Sequence, residues 1–211
     1  MSYQETVGAG RKRYVLAGIG LSFGLAALGY VAKASEPRGP EKVGGKSATH
    51  TSADTAKSTA AFKQVAAVLR NPRCINCHTS TEFPRQGDDR HRHQMNVLRG
   101  PDNHGAVAMR CNACHQDINQ KNGVPGAPNW GLAPLSMKWE GLSDHELAES
   151  LKDPSRNGQR SLEQLFDHMA HDELVGWAWH PGSTRAPVPI SRDEFARQVR
   201  IWIDTGAASP E

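Results

Sequence analysis

Cys74-Ile75-Asn76-Cys77-His78 and Cys111-Asn112-Ala113-Cys114-His115 hold all four cysteines of the chain. Each stretch reads C-x-x-C-H, the pattern of covalent c-type haem attachment. The chemistry sets the spacing. Two thiols three positions apart reach the two vinyl groups along one porphyrin edge and form thioethers. The histidine that follows lies under the ring and gives an imidazole nitrogen to iron as the proximal ligand. Cys74, Cys77, Cys111 and Cys114 are therefore the expected anchors of two c-type haems (iron), with His78 and His115 as proximal ligands. The rival use of two C-x-x-C pairs is a four-cysteine zinc module. Zinc has no need of a histidine after either pair, and both pairs have one.

The motifs start 37 residues apart. A one-haem domain takes roughly 80–100 residues, toward the lower end of domain sizes. The two haems are therefore expected to share one fold and lie close together. With 211 residues and 37% hydrophobic content, the chain is poor in ordinary core residues, and a porphyrin is itself a large apolar core element. The net charge of +3, with no basic run interleaved with aromatics, gives no case for nucleic acid.

Arg11-Lys12-Arg13 precedes an uncharged run over 14–32. As a helix, these 19 residues would span ~28 Å, close to the hydrocarbon thickness of a bilayer. Residues 1–34 are read as a signal peptide with Ala32-Lys33-Ala34 as cleavage site, or as a membrane-anchor transmembrane helix. The run exceeds the usual signal core of 7–15 residues, which favours the anchor. Either outcome exports the rest of the chain, to the periplasmic face of the membrane or to the soluble periplasm. Residues 35–59 are rich in Pro, Gly, Ser, Thr and mixed charge, and are expected to form a flexible linker.

Residues 60–211 form the expected di-haem domain. A helix is predicted from about Ala60 to Arg70, with Phe62, Val65, Val68 and Leu69 as its apolar stripe and Pro72 ending it. Three further helices begin at capping boxes: Ser143 with Glu146, Ser161 with Gln164, and Ser191 with Glu194. The first runs to about Lys152, and Gly206 ends the last. The segment between the motifs carries Arg85, Arg90, Arg92, Arg99 and Arg110, which suit either the haem propionates or a solvated loop. His91, His93 and Met95 share one face if extended. One of them, with His93 favoured, is the candidate distal ligand of the first haem. Met169 falls in the stripe Leu162, Leu165, Phe166 and Met169, so packing is its leading role and ligation its second. His171 falls opposite that stripe, exposed or serving a haem on the other side. Trp177 and Trp179 suit haem-edge or core packing. No alternating strands, phosphate loop or nucleophile elbow occur. The expected fold is mainly α, with long loops around two covalently attached haems and one N-terminal hydrophobic helix.

The haem domain resembles the c-type cytochromes, most closely at the two motifs. Ala60 to Arg70 running into Cys74 is similar to their N-terminal helix, and Trp202 to Ala207 to their closing helix. Gly126-Ala127-Pro128-Asn129-Trp130-Gly131-Leu132 resembles their Gly-Pro-Asn-Leu loop. That resemblance implies that the Pro128 carbonyl accepts the hydrogen bond of the proximal histidine, although Ala127 is an insertion in the pattern. Met137, shortly before the Leu142-Ser143-Asp144 helix start, is then implied as distal ligand of the second haem. More widely, residues 60–211 resemble a proteobacterial di-haem family labelled isoquinoline 1-oxidoreductase subunit. The residues that carry this are Arg90 to Val97, Pro125 to Pro128, Met169 to Asp172 and Val175 to Trp177. The resemblance implies an electron-transfer protein with redox partner proteins, accepting electrons from a periplasmic dehydrogenase or molybdenum hydroxylase. The alternative is a small, peroxidase-like haem enzyme with one open iron position.

Overall fold

Thr51 and Asp54 open the first described helix with a reciprocal cap. The Thr51 hydroxyl accepts from the Asp54 N–H, and the Asp54 carboxylate accepts from the Thr51 N–H. From this cap helix α1 runs over Ser52–Leu69. The computed structural model describes residues 50–211. The apolar run at 14–32 and residues 35–49 of the expected linker lie outside the described residues. Among the described residues no helix is long and apolar enough to cross a membrane.

The helix starts eight residues earlier than the stripe predicts, inside the expected linker. Alanines at 53, 56, 60 and 61 are strong helix formers. Ser58, polar by type, is fully buried: its hydroxyl donates to the Trp202 carbonyl and accepts from the Ala208 N–H. One side chain thus joins the start of the described chain to its end.

After α1 come α2 (Pro72–Ile75), α3 (Asp144–Lys152), α4 (Leu162–His171), α5 (Glu173–Gly176) and α6 (Arg192–Asp204). The described chain is mainly α. The caps at Ser143 and Ser161 are full capping boxes. The third is half of one: Ser191 caps the Glu194 N–H, but the Glu194 carboxylate turns to Arg197 and Gln198. Helices α1, α3, α4 and α6 pack around Phe62, Val65, Leu147, Leu165, Phe195, Val199 and Trp202. Phe62 and Trp202 meet with ring centres 5.0 Å apart.

Between α2 and α3 the chain has no α-helix, only three single 3-10 turns (Gln94–Asn96, Cys111–Ala113 and Leu135–Met137) and two small antiparallel pairs. Strand β1 (Arg85–Gln86) pairs with β2 (His91–Arg92), and β3 (Gly105–Ala106) with β4 (Met109–Arg110). Arg99 organises this region. It is 4% exposed, and its guanidinium donates to the carbonyls of Thr79, Thr81 and Ala133 and to Asn103 Oδ1. A long loop satisfies its backbone polar groups through one buried cation where a helix would do so internally.

Candidate haem-binding site

Each motif is a tight turn. The His78 N–H donates to the Cys74 carbonyl and the His115 N–H to the Cys111 carbonyl. Asn71 caps α2, with Pro72 in its first turn, so the first motif starts on a short helix directly after α1.

Both motif histidines are held in the same way by unrelated loops. His78 Nδ1–H donates to the Met137 carbonyl at 2.8 Å, and His115 Nδ1–H to the Pro125 carbonyl at 2.8 Å. His78 stacks on Trp139, with centres 3.4 Å apart and planes 5° apart. His115 stacks on Trp130 at 4.6 Å and 7°. A carbonyl accepts only from a protonated nitrogen, so in each neutral ring Nε2 carries the free lone pair. Burial pulls His78 down to about 4, against the opposing effect of its hydrogen bond to Met137, and it pulls His115 down as well. Near neutral pH both rings are therefore uncharged, each oriented by a carbonyl and a tryptophan.

Gly126 makes the second arrangement possible. A Cβ there would collide with the carbonyl oxygens of Gln116 and Ile118. Its N–H donates to Asn119 Oδ1, which fixes the turn that presents the Pro125 carbonyl. The carbonyl on His115 thus comes from Pro125, three residues before the expected Pro128. Ala127, next to this turn, is buried.

Cys74, Cys77 and His78 line a cavity of about 340 Å³, within the ~300–1,000 Å³ range usual for cofactor sites. Its walls are mostly apolar and include Leu69, Leu132, Leu165 and Phe195. Trp177 and Trp179 also face it, with their N–H groups spent on Asn119 and the Ile190 carbonyl. Arg73, Arg156 and Arg160 stand at this cavity; the Arg73 guanidinium also meets Asp88, while its buried Nε has no hydrogen-bond partner. Such a chamber suits a flat apolar cofactor that carries carboxylates. A smaller cavity of about 250 Å³ is lined by His115, Trp130, His104, Arg110 and Ala127. Trp130, Asn129 and His104 belong to both walls, so the two chambers are neighbours. All four cysteines are free thiols. Burial pushes Cys74 up to about 12 and Cys77 up to about 11. Among the described residues no group of three or more His, Cys, Asp or Glu is arranged to hold a metal ion.

The other expected ligands fall into different places. Met137 belongs with the first motif: its carbonyl is on His78 Nδ1, behind the ring, and its side chain is buried. From there it does not serve the second motif. His93 sits beside His115 of the second motif, not beside the first, with ring centres 6.0 Å apart. His91 is bound to Asp89 at 2.6 Å. Met95 is 75% exposed, and Met169 lies in the apolar core where that core lines the larger cavity. His171 is exposed, edge-on to Phe166. Of the five arginines between the motifs, none lines the larger cavity. Arg85 and Arg90 meet Glu140, Arg92 lies over Phe83, Arg99 holds carbonyls and Arg110 pairs with Asp102.

Sequence reasoning passed over Trp130, Trp139, Glu140 and His168. His168 lines the larger cavity with His78, and its Nδ1 lies 3.5 Å from the Asp172 carboxylate, which also caps α5. The available signal was Asp172 four residues after His168, a pairing that orients an imidazole. For the tryptophans the signal was two Trp, at 130 and 139, between the second motif and the Ser143 helix start, in a chain with few aromatics. Compared with known proteins, the chain matches no family model, no curated protein and no solved structure.

Proposed function

We propose that residues 60–211 form a di-haem c-type cytochrome-like domain whose function is electron transfer, extended at its start by the first turns of α1. One observation carries the reading: both C-x-x-C-H histidines are prepared alike, Nδ1–H on a carbonyl and ring on a tryptophan, in chambers that share a wall. When bound, each haem would supply one reversible one-electron couple.

The chain's own residues set the conditions. Cys74 and Cys77 would anchor the first haem, and Cys111 and Cys114 the second. His78 and His115 would supply iron with Nε2, while the carbonyls on Nδ1 raise the basicity of each ring. Arg73, Arg156 and Arg160 suit the propionates of the first haem. The apolar wall of the larger cavity excludes water and lowers the cost of packing a porphyrin. His168, oriented by Asp172, lines the same cavity as His78 and would be the second ligand of the first iron. Two haems in chambers that share lining residues would be neighbours, which suits relaying electrons between external redox partner proteins.

The test is the purified, periplasmically matured full chain. The expected result is two haems per chain by the pyridine haemochrome method, retained after acid–acetone extraction. A colourless, zinc-containing protein would overturn the reading. Carbon monoxide binding by the reduced form would replace the carrier with an enzyme that has an open iron position.

A further inference from the structure

His93 and His115 form a pair whose spacing has a chemical meaning. Their ring centres are 6.0 Å apart, with planes at 68°. A metal–nitrogen bond of about 2 Å puts each imidazole centre roughly 3 Å from its metal, so two imidazoles on opposite faces of one metal have centres about 6 Å apart. Their planes turn independently about the shared axis, so the angle is unconstrained. His93 Nδ1–H donates to the Gln94 carbonyl at 2.6 Å, as His115 Nδ1–H does to Pro125. Both rings therefore have Nε2 left over.

We infer that His93 is the second axial ligand of the iron held by His115, which makes the second site a bis-histidine centre. The inference rests on the di-haem reading above and assigns a residue toward that group.

The segment that carries His93 is built to place it and does little else. Residues 94–96 bury no side chain. Met95 and Asn96 both adopt left-handed backbone, at φ 65° and φ 51°. Asn tolerates that region, but Met pays for it, and here no buried contact repays the cost. The backbone anchors are specific: the His93 N–H donates to the Pro84 carbonyl at 2.9 Å, and the Gln94 N–H to Gln86 Oε1 at 3.2 Å. The β1–β2 pair holds the same segment from the other side.

The neighbouring candidates stand differently. His91 also has its Nδ1 engaged, on Asp89, but its ring makes no pair with His115, and Met95 is in solvent. His104 faces the same small cavity as His115, but its outer edge is packed on backbone. Its Nε2 is 3.0 Å from where a Cβ on Gly131 would stand, and its Nδ1 is bonded to the Asp102 carbonyl. Among the described histidines only His93 has its ring centre at this spacing from that of His115.

The experiment compares the haem-loaded full chain with His93→Gly, His93→Met and His104→Ala. Readouts are haem content, ferric electron paramagnetic resonance and the visible spectrum. Haem content is expected to stay at the wild-type value in every variant, since the thioethers do not involve these residues. His93→Gly should convert one of the two low-spin ferric signals to high spin, and added imidazole should restore it. His93→Met should produce a sulfur-to-iron charge-transfer band in the red and raise one reduction potential. His104→Ala should leave both low-spin signals in place. Full haem content with both low-spin signals intact in His93→Gly would overturn the inference while leaving the di-haem reading standing. A wild-type chain without haem would overturn both.

Discussion

Glu140 carries no iron, yet it ties the loop behind His78 to the first motif, and its removal tests that construction. Oε2 accepts from the Thr79 hydroxyl at 2.8 Å, the Ser80 N–H at 2.6 Å and the Ser80 hydroxyl at 2.7 Å. Oε1 meets Arg90, and Arg85 Nε at 3.4 Å. Burial alone would raise its carboxyl. The hydrogen bonds from Ser80 and Thr79 and the charge of Arg90 outweigh burial and bring it from its ordinary 4.5 down to about 2. A shift of that size corresponds to at most about 3 kcal/mol of stability at neutral pH. The arginine side chains are 30% and 32% exposed, so solvent screening brings the expected contribution of the charge to about 1–2 kcal/mol. The sign follows from the depressed folded value. The contribution is complete above the unfolded value near 4.5 and is lost as pH falls toward about 2. Glu140→Gln keeps the shape and removes the charge. In urea unfolding at pH 7 the variant should be about 1–2 kcal/mol less stable, a midpoint lower by roughly 0.5–1 M. At about pH 3 the gap should shrink to less than half of that. An equal gap at both pH values, or none at pH 7, would refute the charge-based account of this node.

Ser58→Ala leaves the Trp202 carbonyl without its hydroxyl donor and the Ala208 N–H without its acceptor; a loss of about 1–3 kcal/mol is expected in chemical denaturation. A Ser58→Ala chain as stable as wild type would return residues up to 59 to a linker role. Arg99→Met removes the donor from three carbonyls and Asn103 at once, and should cost about 3 kcal/mol or more, with faster hydrogen exchange at residues 79–81 and 103. In the haem-loaded chain, His168→Ala should create a high-spin ferric component, whereas Met169→Leu, a volume-conserving change in the core, should leave the spectrum unchanged and cost less than about 1.5 kcal/mol. The reverse pattern would exchange the roles of these neighbours.

What the sequence determined by itself was short in range. Ser143 with Glu146 and Ser161 with Gln164 mark helix starts because a capping box closes within four residues, and both helices begin there. The stripe Phe62, Val65, Val68 and Leu69 is buried as its spacing requires. The C-x-x-C-H turns carry their chemistry in five consecutive residues. The start of α1 was equally local but hidden, because its cap uses Asp54 in place of Glu or Gln and its first turns look like linker composition. Tertiary structure alone decided which groups face each motif. Met137 reaches His78 across 59 positions, and Glu140 reaches Ser80 across 60. His93 was legible as a ligand type but not as the neighbour of His115. The chain from residue 79 to 143 has no period to read, since its path is set by carbonyls on one buried arginine, by turns that admit only glycine, and by two tryptophans that stack where long-range closure puts them.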